Sequence, residues 1–428
     1  MMDKIVVRGG QRLHGDIVVS GAKNAAVAIL PAVILAEEPC VIENIPEIRD
    51  VSICLHILRQ MGAVIRTINR TTVEIDARRI HTPSVDYELA RQMRASYYFV
   101  GVLLGRYGRA DVPMPGGCDL GVRPIDRHIK GFEALGATLS VSHGVIHAEA
   151  EHLIGSQIYF DDVSVGATIN VMMAAVKAEG LTVLENAAKE PQIVDLANFL
   201  NSMGADIRGA GTDVIKIRGV EHLHGATYSI IPDQIEAGTY MIAAAATAGD
   251  VVIHNVIPKH LEAITYKLVR SGVTVVEYDD AIRVTRTGPV QRNNVKTMVH
   301  PGFPTDMQPQ MTVLLSLAEG TSIVTDGIFE NRFRYVDELR RMGANISVDS
   351  KVAVIEGVEQ LTAAPVRATD LRAGAALIIA GLVAKGVTEI EEIYHIERGY
   401  EDIVSKLASI GADIRKISIP EVVLPKAL

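Results

Sequence analysis

A helix-ending phrase, an apolar residue followed by Gly-Ala or a close variant, recurs six times along the chain. It stands at Met61-Gly62-Ala63, Leu135-Gly136-Ala137, Met203-Gly204-Ala205, Ser271-Gly272-Val273, Met342-Gly343-Ala344 and Ile410-Gly411-Ala412. The glycines are 74, 68, 68, 71 and 68 residues apart. Any fold for this chain must therefore be assembled from six copies of one unit. Each glycine follows a short helical pattern, as in Val336-Asp337-Glu338-Leu339-Arg340-Arg341, where glycine is the expected left-handed cap. The alternation that follows it reads as a hairpin, for example 205–208 with 214–218 and 345–348 with 352–355.

Next in each unit comes an apolar segment of small residues: 22–36, 95–104, 167–178, 238–248, 310–318 and 373–384. These segments are apolar nearly all round, which predicts buried helices. A short strand such as 181–184 or 322–325 closes the unit. The chain begins out of phase with the repeat. Ile5-Val6-Val7-Arg8-Gly9 matches Ile215-Lys216-Ile217-Arg218-Gly219, and Leu13-His14-Gly15 matches Leu223-His224-Gly225. The opening strand is thus expected to complete the last unit's sheet, which makes one domain discontinuous. The predicted organisation is a first lobe, 21–229, and a second lobe, 1–20 plus 230–428, each of three βαβαβ-like units with helices inside an outer layer of sheet. A six-unit array is the alternative, but solenoids use shorter units.

Composition limits what these lobes do. The chain is 48% hydrophobic and 22% charged, with no Trp and only 4% aromatic residues, so its helices must pack closely through Ala, Val, Ile and Leu. A net charge of −9 argues against coating nucleic acid or an acidic membrane. The cysteines, Cys40, Cys54 and Cys118, are odd in number and form no disulfide framework or metal motif. The opening residues hold no apolar signal core, and the stretches 27–36 and 375–384 are too short to span a bilayer. The expected location is the cytoplasm. The scattered histidines predict no metal, and no dinucleotide or P-loop fingerprint predicts a cofactor.

Charge gathers where the repeats turn. Lys23 and Asn24 begin the first buried segment and Arg94 the second; Arg123 follows a glycine-rich loop; Lys189 and Glu190 lie in the third unit's loop. Asp233 and Glu236 open the fourth, Asp306 precedes the fifth, Arg332 follows Glu330-Asn331, Asp370 and Arg372 open the sixth, and His395 and Arg398 close it. A cation at a helix N-terminus opposes the dipole, so Lys23 predicts an anion held against the helix amides. Guanidinium groups at equivalent junctions suit a ligand carrying carboxylate and phosphate. In Pro113–Gly121 two prolines and three glycines read as a lid. Cys118 within it is either a reactive thiol, its pKa lowered by Arg123, or an unremarkable one. Cys40 and Cys54 read as core. Asp306, on the stiff loop Pro301–Gln308, reads as a helix cap or as a general base, with the cap favoured from the residues alone.

A wider set of motifs then carries a resemblance. Ser20-Gly21-Ala22-Lys23-Asn24-Ala25, Met93-Arg94-Ala95-Ser96, Pro115-Gly116-Gly117-Cys118, Gly121-Val122-Arg123-Pro124, Phe303-Pro304-Thr305-Asp306-Met307-Gln308, Phe329-Glu330-Asn331-Arg332-Phe333, Ala368-Thr369-Asp370-Leu371-Arg372-Ala373 and Tyr394-His395-Ile396-Glu397-Arg398-Gly399-Tyr400 run from end to end of the chain. Together they closely resemble the enolpyruvyl transferase family, and within it the UDP-N-acetylglucosamine 1-carboxyvinyltransferases. The resemblance implies an inside-out α/β barrel fold: two lobes of three βαβαββ repeats with the active site in the cleft. It implies metal-free transfer of the enolpyruvyl group of phosphoenolpyruvate to the 3′-hydroxyl of UDP-N-acetylglucosamine, with release of phosphate.

The resemblance also implies residue roles. Lys23, Arg123 and Arg398 surround the phosphate of phosphoenolpyruvate, and Arg332 and Arg372 serve its carboxylate. Cys118 is the lid cysteine, for proton delivery, a covalent adduct or product release. Asp306 becomes the base for the sugar hydroxyl, and Asp370 holds a cationic neighbour or assists proton transfer. Asn24, Arg94, Asp126, Val163, Ser164, Val165 and Gly166 contact the UDP-sugar, and Pro124 and Ile328 are further substrate-binding positions. Two positions depart from some relatives: Asp162 replaces a basic residue, and Tyr98 replaces Trp. The rival readings are a 3-phosphoshikimate 1-carboxyvinyltransferase and a non-catalytic UDP-sugar-binding paralogue.

Overall fold

The structure is a computed structural model and describes residues 2–115 and 125–419. Contacts divide the chain into two compact units. The first comprises Ser20–Asp233 with Val299–Pro301. The second holds the preceding residues up to Val19, Gln234–Met298 and the described chain from Gly302 onward.

The first unit is built on three helices, α1 (Lys23–Ala32), α2 (Tyr98–Tyr107) and α3 (Val165–Ala175). Every residue of α1 from Ala25 to Ala32 and of α3 from Ala167 to Ala175 is buried. Their composition is what permits this. At Gly101 of α2 an added Cβ would lie 2.1 Å from the carbonyl oxygen of Asn170 in α3, so the two backbones approach as closely as only glycine allows. Three sheets flank these helices. Their strand orders are Thr227–Ser229, Cys40–Glu43, Thr72–Asp76, Val64–Asn69; then Arg109–Pro113, Val145–Glu149, Thr138–Ser142; then Asp206–Arg208, Val214–Arg218, Leu181–Glu185, Gln157–Tyr159. Cys40 and Cys54 are buried core residues, as their apolar surroundings predicted, and burial pushes both thiols up.

The second unit repeats the plan around α4 (Gln234–Ala246), α5 (Gln308–Leu315) and α6 (Leu371–Val383). Each of its four-stranded sheets has a parallel pair at one edge and an antiparallel pair at the other. The sheet Val295–Lys296, Thr321–Thr325, Val352–Glu356, Asn345–Asp349 is one case. The strand Met2–Arg8 pairs antiparallel with both Val387–Glu391 and Asp413–Ile419. It fills the hairpin position that Val214–Arg218 fills in the first unit, as the sequence match predicts. The next strand, His14–Val18, lies parallel to Asp250–His254. Among the described residues the sheets are open, and none closes into a barrel.

Two sets of glycines mark the repeat. Gly62, Gly136, Gly204, Gly272, Gly343 and Gly411 all have φ between 83° and 114°, the left-handed conformation expected just past a helix. A second set ends the inner hairpin strand. A Cβ on Gly9, Gly219 or Gly357 would meet the carbonyl oxygen of Ala384, Ala178 or Ala318 at 2.0, 1.6 and 1.6 Å. Backbone cannot yield there as a side chain can. Gly219→Ala is accordingly expected to cost at least about 2 kcal/mol, whereas Gly288→Ala should stay within about 0.5 kcal/mol, since a Cβ on Gly288 meets nothing within 4 Å. Thermal melts of the two variants check this; equal melting temperatures would contradict it.

Candidate active site

In the first unit Lys23 opens α1, and its side chain faces protein rather than solvent. Lys23 Nζ lies 3.2 Å from Asp50 Oδ2, with side chains 14% and 1% exposed. Asp50 sits in the first turn of the helix Arg49–Met61, where the dipole favours a carboxylate. The backbone N–H of Lys23 donates to Asp233 Oδ2 at 2.9 Å. Two protein carboxylates therefore meet the ammonium group and the first amide of α1, beside the anion that the sequence reading assigns to Lys23. Both are remote in sequence, so spacing could not reveal them. Asn24 follows, half-buried.

Arg94 starts the short 3-10 turn Arg94–Tyr97 that leads into α2. Val163, Ser164, Val165 and Gly166 form the N-terminal entry of α3, with Ser164 as N-cap: its Oγ accepts from Ala167 N at 3.2 Å. Asp126 opens the outer helix Asp126–Ala134. Asp162 pairs with Arg127 of that helix, and Asp161 with Lys130 at 2.7 Å. The acid at position 162 thus has a basic partner of its own. Tyr98 is buried and stacks edge-on with Tyr97, centroids 4.8 Å apart.

Sequence reasoning missed the polar group behind this wall. Asn170 of α3 donates to His128 Nδ1 at 3.1 Å and to Tyr97 O at 2.8 Å, while its Oδ1 accepts from Gly101 N at 2.8 Å. A Cβ on Gly166 would sit 2.9 Å from the Tyr97 hydroxyl and 3.1 Å from the His128 ring. Burial, then the charges of Arg94 and Arg127, hold His128 down at about 3. No motif announces this cluster, because its members come from three segments.

The second unit gathers the charges that the loops promised. Asp306 Oδ1 accepts from Arg332 Nη2 at 3.0 Å, and Asp306 Oδ2 accepts from Arg372 Nε at 3.2 Å. Both guanidinium side chains are nearly buried, 2% and 3% exposed, whereas the carboxylate is 29% exposed. Each guanidinium lies over a ring, Arg332 over Phe329 at 5.4 Å and Arg372 over Tyr400 at 5.3 Å. Arg332 Nε has no protein acceptor among the described residues. The cap favoured for Asp306 is not what forms: the N-cap of α5 is Met307, with no side-chain hydrogen bond, and the carboxylate of Asp306 engages two arginines instead.

A side-chain cap does form at α6, from Asp370. Its Oδ1 accepts from Arg372 N at 2.9 Å and Ala373 N at 3.0 Å, which fixes the first turn of α6 and hence the base of Arg372. Arg398 is 8% exposed. Burial, and next the charge of Arg398, pulls His395 below its ordinary value, against Asp370 and Glu392. Ile328 is 37% exposed. Cys118, Arg123 and Pro124 lie outside the described residues. Among those residues no group of three metal-ligating side chains occurs, and no helix is long and apolar enough to cross a membrane.

The placement of His128 has a pH consequence. Its folded value of about 3 lies below the ordinary 6.5, so between those values the unfolded chain takes up a proton that the folded unit refuses. Stability from this group is complete above about pH 6.5 and falls on acidification towards pH 3. The His128 ring resonances should not titrate by NMR between about pH 5 and 8, where an ordinary histidine would. A midpoint near 6.5 would contradict the buried placement.

The family model described as EPSP synthase (3-phosphoshikimate 1-carboxyvinyltransferase) matches residues 7–407. UDP-N-acetylglucosamine 1-carboxyvinyltransferase 3 of Caldanaerobacter subterraneus subsp. tengcongensis is 58% identical over 97% of this chain and 100% of its own. UDP-N-acetylglucosamine 1-carboxyvinyltransferase 2 of Clostridium acetobutylicum is 58% identical over 98% and 100%. Among solved structures, the enolpyruvyl transferase NikO from Streptomyces tendae superimposes with a TM-score of 0.89 at 27% identity, covering 98% of this chain and 100% of that one. An EPSP synthase from Acinetobacter baumannii, at 18% identity and TM-score 0.75 over 98% and 100%, shares the fold. The chain therefore belongs to the EPSP synthase family of enolpyruvyl transferases and, within it, to the UDP-N-acetylglucosamine 1-carboxyvinyltransferases.

Proposed function

We propose that this chain transfers the enolpyruvyl group of phosphoenolpyruvate to the 3′-hydroxyl of UDP-N-acetylglucosamine and releases phosphate, the first committed step of peptidoglycan synthesis. The observation that carries this reading is the Asp306 carboxylate held by two buried guanidinium groups. Buried arginines that already hold a carboxylate suit an incoming carboxylate of the same shape. When phosphoenolpyruvate supplies one, Arg332 and Arg372 exchange partners. Asp306 is then released to accept a proton.

Addition begins as Asp306 takes the proton of the 3′-hydroxyl and the oxygen bonds to C2 of phosphoenolpyruvate. The double bond's electron pair takes a proton at C3. The product is a tetrahedral adduct that still carries phosphate. Elimination removes a proton from C3, re-forms the double bond and breaks the C2–O bond, with phosphate leaving. Lys23, Arg123 and Arg398 bind the phosphate, whose charge grows as it departs. Cys118 serves proton delivery, a covalent adduct or product release. Asp370 sets Arg372 by capping α6. Asn24, Arg94, Asp126, Val163, Ser164, Val165 and Gly166 bind the UDP-sugar, and Pro124 and Ile328 are further substrate-binding positions. The family match described as EPSP synthase favours one rival acceptor, shikimate 3-phosphate; the identity to relatives named for the UDP-sugar favours the first.

Phosphate release from phosphoenolpyruvate should require UDP-N-acetylglucosamine and should not occur with shikimate 3-phosphate. The opposite dependence would overturn the acceptor. Asp306→Ala should still bind UDP-N-acetylglucosamine but lose at least about 100-fold in kcat; undiminished kcat would remove the base role. An epoxide phosphonate of the fosfomycin type should add once to the protein, at Cys118, by intact mass and peptide mapping. An unmodified Cys118 beside lost activity would sink the thiol's assignment.

A further inference from the structure

Asp326 follows the strand Thr321–Thr325 and is completely buried. It belongs to no recognised motif, and the reaction described above does not use it. Its Oδ1 accepts from Ile328 N at 2.8 Å, Phe329 N at 2.9 Å and Thr297 Oγ1 at 3.0 Å. Its Oδ2 accepts from Thr305 Oγ1 at 2.9 Å. Burying a carboxylate is costly unless donors surround it, and here four neutral donors do so.

The two amide bonds are local and form a turn that an asparagine would make equally well. The two hydroxyl bonds are different, because they join segments 21 and 29 residues away. Thr297 Oγ1 also accepts from Gly327 N at 2.9 Å, so its own hydrogen is directed at Asp326. Thr305 adjoins Asp306 in the short 3-10 turn Thr305–Met307. Phe329 lies beneath the Arg332 guanidinium. One buried carboxylate thus fixes both sides of the Asp306–Arg332 pair, which is 3.0 Å long. Helix capping cannot substitute for it, since Met307 caps α5 without a side-chain bond.

We propose that Asp326 is a positioning residue for the transfer reaction: through Thr305 it orients Asp306, and through the Ile328–Phe329 backbone it orients Arg332. The inference rests on the reading of Asp306 as the base. A carboxylate accepts from both hydroxyls at once; an amide at position 326 would turn an N–H towards Thr305 and force its hydroxyl to reorient from donor to acceptor. Misplacing a reacting group by about an ångström costs on the order of 100-fold in rate, which sets the expected scale.

The test compares Thr305→Val, Thr305→Ser, Asp326→Asn and Asp306→Ala in the phosphate-release assay with phosphoenolpyruvate and UDP-N-acetylglucosamine. Thr305→Val removes only the hydroxyl and is nearly isosteric. It should lower kcat by about 10- to 100-fold and leave both KM values within about twofold. Thr305→Ser should restore most of the rate, and Asp326→Asn should resemble Thr305→Val. Should Thr305→Val fail to fold, Asp326→Asn read against Thr305→Ser carries the same test. Unimpaired kcat in Thr305→Val, a loss that serine does not repair, or a rise in KM alone would overturn the proposal. An active Asp306→Ala would remove the base reading and this inference with it. An inactive Asp306→Ala beside a fully active Thr305→Val would remove this inference alone.

Discussion

The fold depends on burying helices on nearly every face. A helix surrounded by other helices and sheet cannot carry charge along its length without leaving it unpaired. α3 has no charged residue, and among its described neighbours it packs against α2 through glycine and asparagine backbone. α6 is buried from Leu371 to Leu382, with one guanidinium, Arg372, in its first turn. Charge is thereby driven to helix entries. Lys23 at α1, Asp306 before α5 and Asp370 at α6 all stand there. The site is a by-product of the packing rule, repeated in each unit.

Within the second unit the same rule gives a graded electrostatic arrangement. Arg332 and Arg372 are almost completely buried, yet both point at a carboxylate that water still reaches. Such a pair contributes little to folding, because desolvating the guanidinium groups offsets the attraction. It does hold two bidentate donors ready for a ligand at small reorganisation cost. Asp370 and Asp326 support that readiness from behind, the first through the α6 amides and the second through Thr305 and the Ile328–Phe329 backbone.

Much of the architecture was legible because it is written in local or periodic terms. The six capping glycines, the hairpins behind them and the aliphatic helices are each visible within a window of fifteen residues or so. The pairing of Met2–Arg8 with Asp413–Ile419 was legible only by phase, through the likeness of Ile5–Gly9 to Ile215–Gly219. Partners chosen across long separations were not legible. Asp50 and Asp233 as neighbours of Lys23, Asn170 beside His128, and Asp326 behind Thr305 obey no spacing rule. Asp306 was half legible: its stiff loop marked it, but a cap and a base look alike in sequence. The arginines, distant in sequence, show only that the carboxylate pairs with guanidinium groups instead of capping α5.

The central claim is that Arg332 and Arg372 exchange the Asp306 carboxylate for that of phosphoenolpyruvate, which frees Asp306 for the sugar hydroxyl. A crystal structure of the protein with UDP-N-acetylglucosamine and an unreactive phosphoenolpyruvate analogue measures this directly. The account predicts both guanidinium groups on the analogue's carboxylate and an Asp306 oxygen about 2.6–3.2 Å from the 3′-hydroxyl. An Asp306 still paired to both arginines, with the hydroxyl facing another base, would contradict it.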